Sequence, residues 1–196
     1  MKSKQSTYIR YKITDLVLFT ALFTISEAIV TSASKTWFPA QPYAFSLSVL
    51  FLSLILMRWG LAAVFPAIAG AIAFCLASGA GFTQYIVYTA GNIFAVTASF
   101  FLKTVGKEKV RKDALRSGIF VILVFLLQQA GRWIAALAFG EAPGVIITFL
   151  TTDSLSALFA LIAVTALRHV DGLYEDQKSY LFRLERERKE ESNNRL

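Results

Sequence analysis

Apolar residues fall in six blocks along this chain, at roughly 13–33, 43–57, 60–78, 82–105, 118–139 and 145–167, parted by short polar gaps. Each block runs for about 15–24 residues, enough or nearly enough to cross ~30 Å of hydrocarbon at ~1.5 Å of rise per residue. Backbone amides in hydrocarbon need partners within their own segment, so the blocks are predicted to be helices. Only Arg58 and Trp59 part the second block from the third. Joined, the two are far too long for one crossing, so a tight hairpin is expected there. Pro66 should kink the third helix, because proline removes an interior hydrogen bond. The fold class this pattern predicts is all-α integral membrane, a bundle of six transmembrane helices.

Charge gives the orientation. Lys2, Lys4, Arg10 and Lys12 precede the first block, and Lys103, Lys107, Lys109, Arg111, Lys112 and Arg116 follow the fourth. Arg168, Lys178, Arg183, Arg186, Arg188, Lys189 and Arg195 follow the sixth, whereas the remaining connections hold little beyond Lys35 and Glu141. An even number of spans puts every basic segment on one side, which the positive-inside rule makes the cytoplasm, with both termini inside. The composition agrees: 56% of residues are hydrophobic and 17% charged, where a soluble domain carries about a quarter charged. The net charge of +7 does not indicate a nucleic-acid partner, because the basic residues flank apolar blocks and form no continuous face. The lipid bilayer is the expected surroundings. Cys75 is the single cysteine, so no intrachain disulfide forms. Thr31-Ser32-Ala33-Ser34 resembles a leader cleavage site, but the run before it is long for a signal peptide and contains Glu27, so it reads as a first span.

Residues 1–170 are expected to form the membrane domain and 171–196 a charged amphipathic tail. Leu173, Tyr174, Gln177, Tyr180, Leu181 and Leu184 recur at helical spacing there. That tail should extend the last span or lie on the inner membrane surface.

Four ionisable residues fall inside the blocks. Asp15 follows Thr14 at the start of the first and is expected to cap its free amides. Glu27, Arg132 and Asp153 lie deeper, about 9, 10 and 12 Å from the outer ends of their helices at ~1.5 Å per residue. Charges there cost several kcal/mol unless turned inward and paired. Gln84, Tyr85, Tyr88 and Asn92 in the fourth block and Gln128, Gln129 and Trp133 in the fifth share that outer half. So do Trp37, Gln41 and Tyr43 around the first outer connection, and Thr151, Thr152 and Ser154 beside Asp153. The inner halves read as nearly free of such groups. An ion-pair lock without a ligand is one reading, and a ligand pocket opening outward is the other. The one-sided distribution favours the pocket. In it Glu27, Arg132 and Asp153 set the polar level, Gln84, Asn92 and Gln128 or Gln129 orient the ligand, and Trp37, Tyr85, Tyr88 and Trp133 offer stacking surface.

Chemistry of other kinds lacks its residues. Gly106-Lys107 is followed by Glu108 rather than Ser or Thr, so there is no phosphate loop. His169 stands alone, so no metal site or cofactor is expected, and Ser154 beside Asp153 has no histidine for nucleophilic work. An enzyme using Asp153 or Glu27 as acid–base would need a second catalytic group, which is not visible. Small residues align at spacing four in Thr20, Thr24 and Ala28, in Ala69, Ala73 and Ala77, and in Gly91 and Ala95, which suits close helix packing.

Lys12-Ile13-Thr14-Asp15-Leu16-Val17-Leu18 with Ala21-Leu22-Phe23 is similar to the first helix of the S components of energy-coupling factor transporters. Asp153-Ser154-Leu155 and the run Arg168-His169-Val170-Asp171-Gly172-Leu173-Tyr174-Glu175-Asp176-Gln177-Lys178 resemble their ending, and six short helices in about 200 residues resemble their architecture. The resemblance implies a vitamin-binding subunit of the bacterial cytoplasmic membrane, with no enzymatic activity of its own. It implies cobalamin as substrate, with riboflavin next. A membrane coupling subunit and two ATPase subunits are the implied partners. The family docks through an Ala-x-x-x-Ala ridge on the first helix; here Ala21 is followed at spacing four by Ile25, and Thr20, Thr24 and Ala28 are the nearest substitute. A structural or assembly role without a ligand is the alternative from another class.

Overall fold

The computed structural model describes residues 2–39 and 44–193, and those residues form helices and turns with no strand among them. The helices are α1 (Lys2–Trp37), α2 (Ser48–Trp59), α3 (Val64–Ser78), α4 (Phe82–Ala95), α5 (Ser99–Val105), α6 (Lys107–Lys112), α7 (Ala114–Ala138), α8 (Val145–Thr152), α9 (Ser154–Leu167) and α10 (Gln177–Asn193). Tight 3-10 turns at Gly60–Ala63 and Val96–Ala98 join α2 to α3 and α4 to α5.

Four stretches are long and apolar enough to cross a membrane: Tyr8–Trp37, Ser48–Ser78, Phe82–Val105 and Ala114–Ala138. The pair α8 and α9, bent by 44°, makes a fifth. Large apolar side chains stand outward on these stretches, with Val17, Ile25, Ile29, Phe65 and Ile162 all more than half exposed. An apolar outer surface over an apolar core suits lipid better than water. The chain is an all-helical protein of the membrane-embedded kind.

Contacts fix how the helices run. Asp15 of α1 meets Arg58 of α2, while Glu27 meets the amide of Leu47 just before α2 begins. These two helices are therefore antiparallel. On α3, Gly70 lies against the ring of Phe23, and Ser78 O accepts from Lys35 Nζ at 3.0 Å. Thus α3 runs parallel to α1, and the stretch 48–78 reverses at Gly60. That residue holds φ +58°, a left-handed value that costs glycine no Cβ clash. Pro66 lies in the first turn of α3, where a missing N–H removes no interior bond, so the expected kink has no cause there. The helices α4 and α7 cross at Gly91 and Gly131. A Cβ on Gly131 would stand 2.5 Å from Phe94 Cβ and 3.0 Å from Ala90 O, so the two backbones nearly touch.

The end of the bundle that holds Asp15 and Arg58 corrects two expectations. Because α1 starts at Lys2, Asp15 lies well inside the helix and caps nothing. Its carboxylate instead accepts from Arg58 at 2.6 and 3.0 Å and from Trp59 Nε1 at 2.5 Å. The second correction concerns the residues after α9. They do not continue it as a helix but fold back under the bundle. Arg58 Nη1 donates to Gly172 O and to Leu173 O, Tyr11 donates to Gln177 Oε1 at 3.0 Å, and Lys107 pairs with Asp176. Tyr174 and Gln177 are fully buried. The helix α10 leaves from this anchored turn, held by Arg183 to Asp171 and Glu175.

Candidate functional site

Glu27 on α1, Arg132 on α7 and Asp153 between α8 and α9 are buried to 0, 2 and 3% exposure. Arg132 Nη1 pairs directly with Asp153 Oδ2. Gln129 serves both partners, accepting from Arg132 Nη1 and donating to Asp153 Oδ2, each at 3.3 Å. The guanidinium lies 4.3 Å from the centre of the Tyr88 ring, which in turn packs on Phe74 at 4.7 Å. Such a ring face attracts a cation, all the more in a dry setting. Glu27 lies within electrostatic reach of both Arg132 and Asp153.

A second arm runs from α3. Asn92 Nδ2 donates to Ala67 O at 3.0 Å, and its Oδ1 accepts from Gln128 Nε2 at 2.6 Å. Both Gln128 and Gln129 thus face inward, which the sequence left open.

Asp153 occupies the helix break. Before it, Thr151 and Thr152 return their hydroxyls to Ile147 O and Thr148 O at 2.9 and 2.8 Å, a pattern that bends helices. The break frees Thr152 O, which accepts from Ala44 N at 3.1 Å. Ser156 Oγ accepts from Ser46 N at 2.9 Å and donates to Ala44 O at 3.2 Å. Leu47 N donates to Glu27 Oε2 at 2.7 Å. Residues 44–47 therefore form a strap bound to α9 and to Glu27.

Several buried atoms of this cluster have no partner among the described residues: Glu27 Oε1, Thr31 Oγ1, Gln128 Oε1 and Arg132 Nε. The Asp15–Arg58 pair differs. Every nitrogen of the Arg58 guanidinium is bonded, to Asp15, Gly172 and Leu173, and both oxygens of Asp15 are taken. An unpartnered buried polar atom costs about 1–3 kcal/mol, so the Glu27–Arg132–Asp153 cluster carries an unmet demand that the Asp15–Arg58 pair does not, although Ser99 Oγ, Arg168 Nε and Tyr174 Oη at that pair's end are also without a partner among the described residues.

Other expected site residues lie elsewhere. Trp37 is 73% exposed. Gln84 is exposed and closes the first turn of α4, accepting from Gly81 N at 2.9 Å. Tyr85 is half-buried on that turn, with no bond to the cluster. Trp133 donates to Pro143 O at 3.0 Å, pinning the loop before α8, because successive residues on a helix point 100° apart and Arg132 already faces inward. Thr20, Thr24 and Ala28 are half-buried, the two hydroxyls returning to Leu16 O and Thr20 O on their own helix. Gln41 and Tyr43 lie outside the described residues. Sequence reasoning missed Thr31, Ser46, Leu47 and Ser156. Thr31 alone carried a signal, one helical turn beyond Glu27.

The halves expected to lie inward are not free of polar groups either, since Asp15 and Arg58 pair there. A cavity of about 600 Å³ also opens at that end, lined by Lys103, Lys107, Arg111, Glu175, Asp176 and Arg183. Its charges largely satisfy one another, Lys107 with Asp176, and Arg111 and Arg183 with Glu175, so it makes a weaker ligand site than the outer cluster. Comparison with protein-family models, with curated proteins and with solved structures gives no match.

Proposed function

We propose that this chain is a membrane subunit that captures a vitamin-class solute at its outer face and has no enzymatic activity of its own. The observation that carries the reading is the set of unpartnered atoms at the outer cluster, Glu27 Oε1, Gln128 Oε1, Thr31 Oγ1 and Arg132 Nε, beside an inner pair whose bonds are complete. Neither one-sidedness of polar groups nor the number of unpartnered atoms supports it, since Ser99 Oγ, Arg168 Nε and Tyr174 Oη at the opposite end also lack a partner among the described residues. What supports it is the gathering of four such atoms around one buried ion pair. The chain crosses six times with both ends in the bacterial cytoplasm. The reversal of 48–78 at Gly60 and the basic inner connections support that path. In line with the S-component resemblance, a membrane coupling subunit and two ATPase subunits supply the energy, the first docking along Thr20, Thr24 and Ala28.

The purified protein is expected to carry a small organic molecule through detergent extraction, identified by mass spectrometry. Cobalamin and then riboflavin, the substrates implied by the resemblance, are the first to titrate. Arg132→Ala should weaken binding at least tenfold, while Lys109→Ala, on the exposed inner connection, leaves it unchanged. Extraction of lipid alone, together with no binding of any vitamin, overturns the reading. It would favour a structural protein, for which the Asp15–Arg58 pair is the precedent within the chain: a buried ion pair that locks helices with no demand left over.

A further inference from the structure

We infer that the solute taken at the outer cluster presents a positively charged hydrogen-bond donor, an ammonium, an amidinium or a protonated ring nitrogen, with Glu27 as its counter-ion. This rests on the reading of that cluster as a ligand site and specifies the charge of what it takes.

The first ground is charge. Two carboxylates and one guanidinium meet there, and Asp153 engages the guanidinium directly. Gln129 and the Tyr88 ring occupy two more sides of Arg132. Glu27 has the Leu47 amide on Oε2 and the Ser46 hydroxyl beside it, and among the described residues no cation is in contact with it. A carboxylate at 0% exposure with a free oxygen is completed by a cation far better than by a neutral group.

The second ground is hydrogen-bond direction, and it follows from a backbone carbonyl. Ala67 O only accepts, so Asn92 must offer its Nδ2, which leaves Oδ1 toward α7. Gln128 must then offer Nε2, so its remaining atom is the acceptor Oε1. Two of the four unmet atoms accept: Gln128 Oε1, and Glu27 Oε1 when its carboxylate is ionised, as a bound cation would keep it. Thr31 Oγ1, one turn above Glu27 on the same buried face, can also accept, and Arg132 Nε is the one obligate donor. A ligand rich in donors fits; an anion would face Glu27 and the free amide oxygen of Gln128.

Access requires the strap 44–47 to lift, breaking the Leu47–Glu27 bond. Glu27→Gln keeps an oxygen for that amide while removing the charge, so it tests the ligand rather than the strap.

The experiment uses the full-length protein in detergent or nanodiscs and measures equilibrium binding of a panel graded by charge: thiamin as a cation, riboflavin and cobalamin without net positive charge, biotin as an anion. Thiamin is expected to bind, with Glu27→Gln weakening it about 10- to 100-fold and Gln128→Leu less, and with no loss when NaCl is replaced by choline chloride. Retention of size-exclusion profile and helical circular dichroism shows that the variants are folded. Binding of riboflavin, cobalamin or biotin without thiamin overturns the charge assignment and leaves the capture role standing. So does thiamin binding that Glu27→Gln does not alter. Saturable stabilisation by sodium alone, with no organic cation bound, replaces the solute by an inorganic ion and overturns the assignment. No binding across the whole panel overturns both.

Discussion

Arg132→Ala would leave Asp153, 3% exposed, without its cation, and Arg58→Ala would do the same to Asp15. Removing one member of a buried pair costs about 3–5 kcal/mol, chiefly because the remaining charge stays dehydrated. Both variants should lower the thermal midpoint in detergent. The two sites should separate when both charges are removed. Replacing Arg132 and Asp153 together by methionine and leucine should recover most of the loss. Replacing Arg58 and Asp15 should not, since Arg58 also holds Gly172 O and Leu173 O. Residue identity alone exposed Glu27, Arg132 and Asp153, because charge is rare in apolar blocks. It did not expose the Asp15–Arg58 pair. Each sits at the edge of a block, where a carboxylate reads as a cap and an arginine as a loop residue, and only the antiparallel register of α1 and α2 brings them together.

At the scale of elements, two features do not follow from apolar periodicity. One is the crossing of α4 and α7. Gly131→Ala would place a Cβ 2.5 Å from Phe94 Cβ, against packed backbone on either side. Overpacking of this kind costs about 1–3 kcal/mol, so the variant should melt earlier, whereas Gly144→Ala, with open space around it, should not. The small-residue row Gly91 and Ala95 pointed to this contact; the opposing Gly131 and Ala135 keep the same spacing, but the sequence reading did not single them out. The other feature is the break at Asp153 with its strap. Ser156→Ala removes the acceptor of Ser46 N and the donor to Ala44 O. Hydrogen exchange at Ser46 should quicken by one to two orders of magnitude, matching the ~1–3 kcal/mol of an unmet buried amide. Thr151-Thr152-Asp153-Ser154 sits inside an apolar block long enough for one helix, so periodicity predicted continuity. The hydroxyl back-bonds and the pull of Arg132 on Asp153 prevailed.

Over the whole molecule, the described residues of the apolar blocks lie largely in helices, with four or five stretches apolar and long enough to span a membrane, and the chain turns back at Gly60 between the second block and the third. What the sequence could not convey is that the segment after α9 belongs to the bundle. Its apolar spacing suggested an amphipathic helix, yet Leu173 and Tyr174 fall in a turn, because Gly172 at φ +72° redirects the chain and Arg58 binds the carbonyls that follow. The anchor therefore ends near Gln177, and the charged remainder of α10 stands outside it. A chain stopped after Tyr180 should keep most of its stability, while one stopped after Val170 strips Arg58 and Tyr11 of partners and should unfold several degrees earlier. Alkaline titration gives an independent reading of the same anchor. Burial pushes the Tyr174 phenol up to about 12 from its ordinary value near 10. A folded-state value above the unfolded one means the buried, neutral phenol contributes full stability below pH 10 and loses it as pH rises from 10 toward 12. Tyr174→Phe has no proton to lose, so its stability should fall less than the parent's over that interval, a difference that melts at pH 9, 10.5 and 11.5 would resolve.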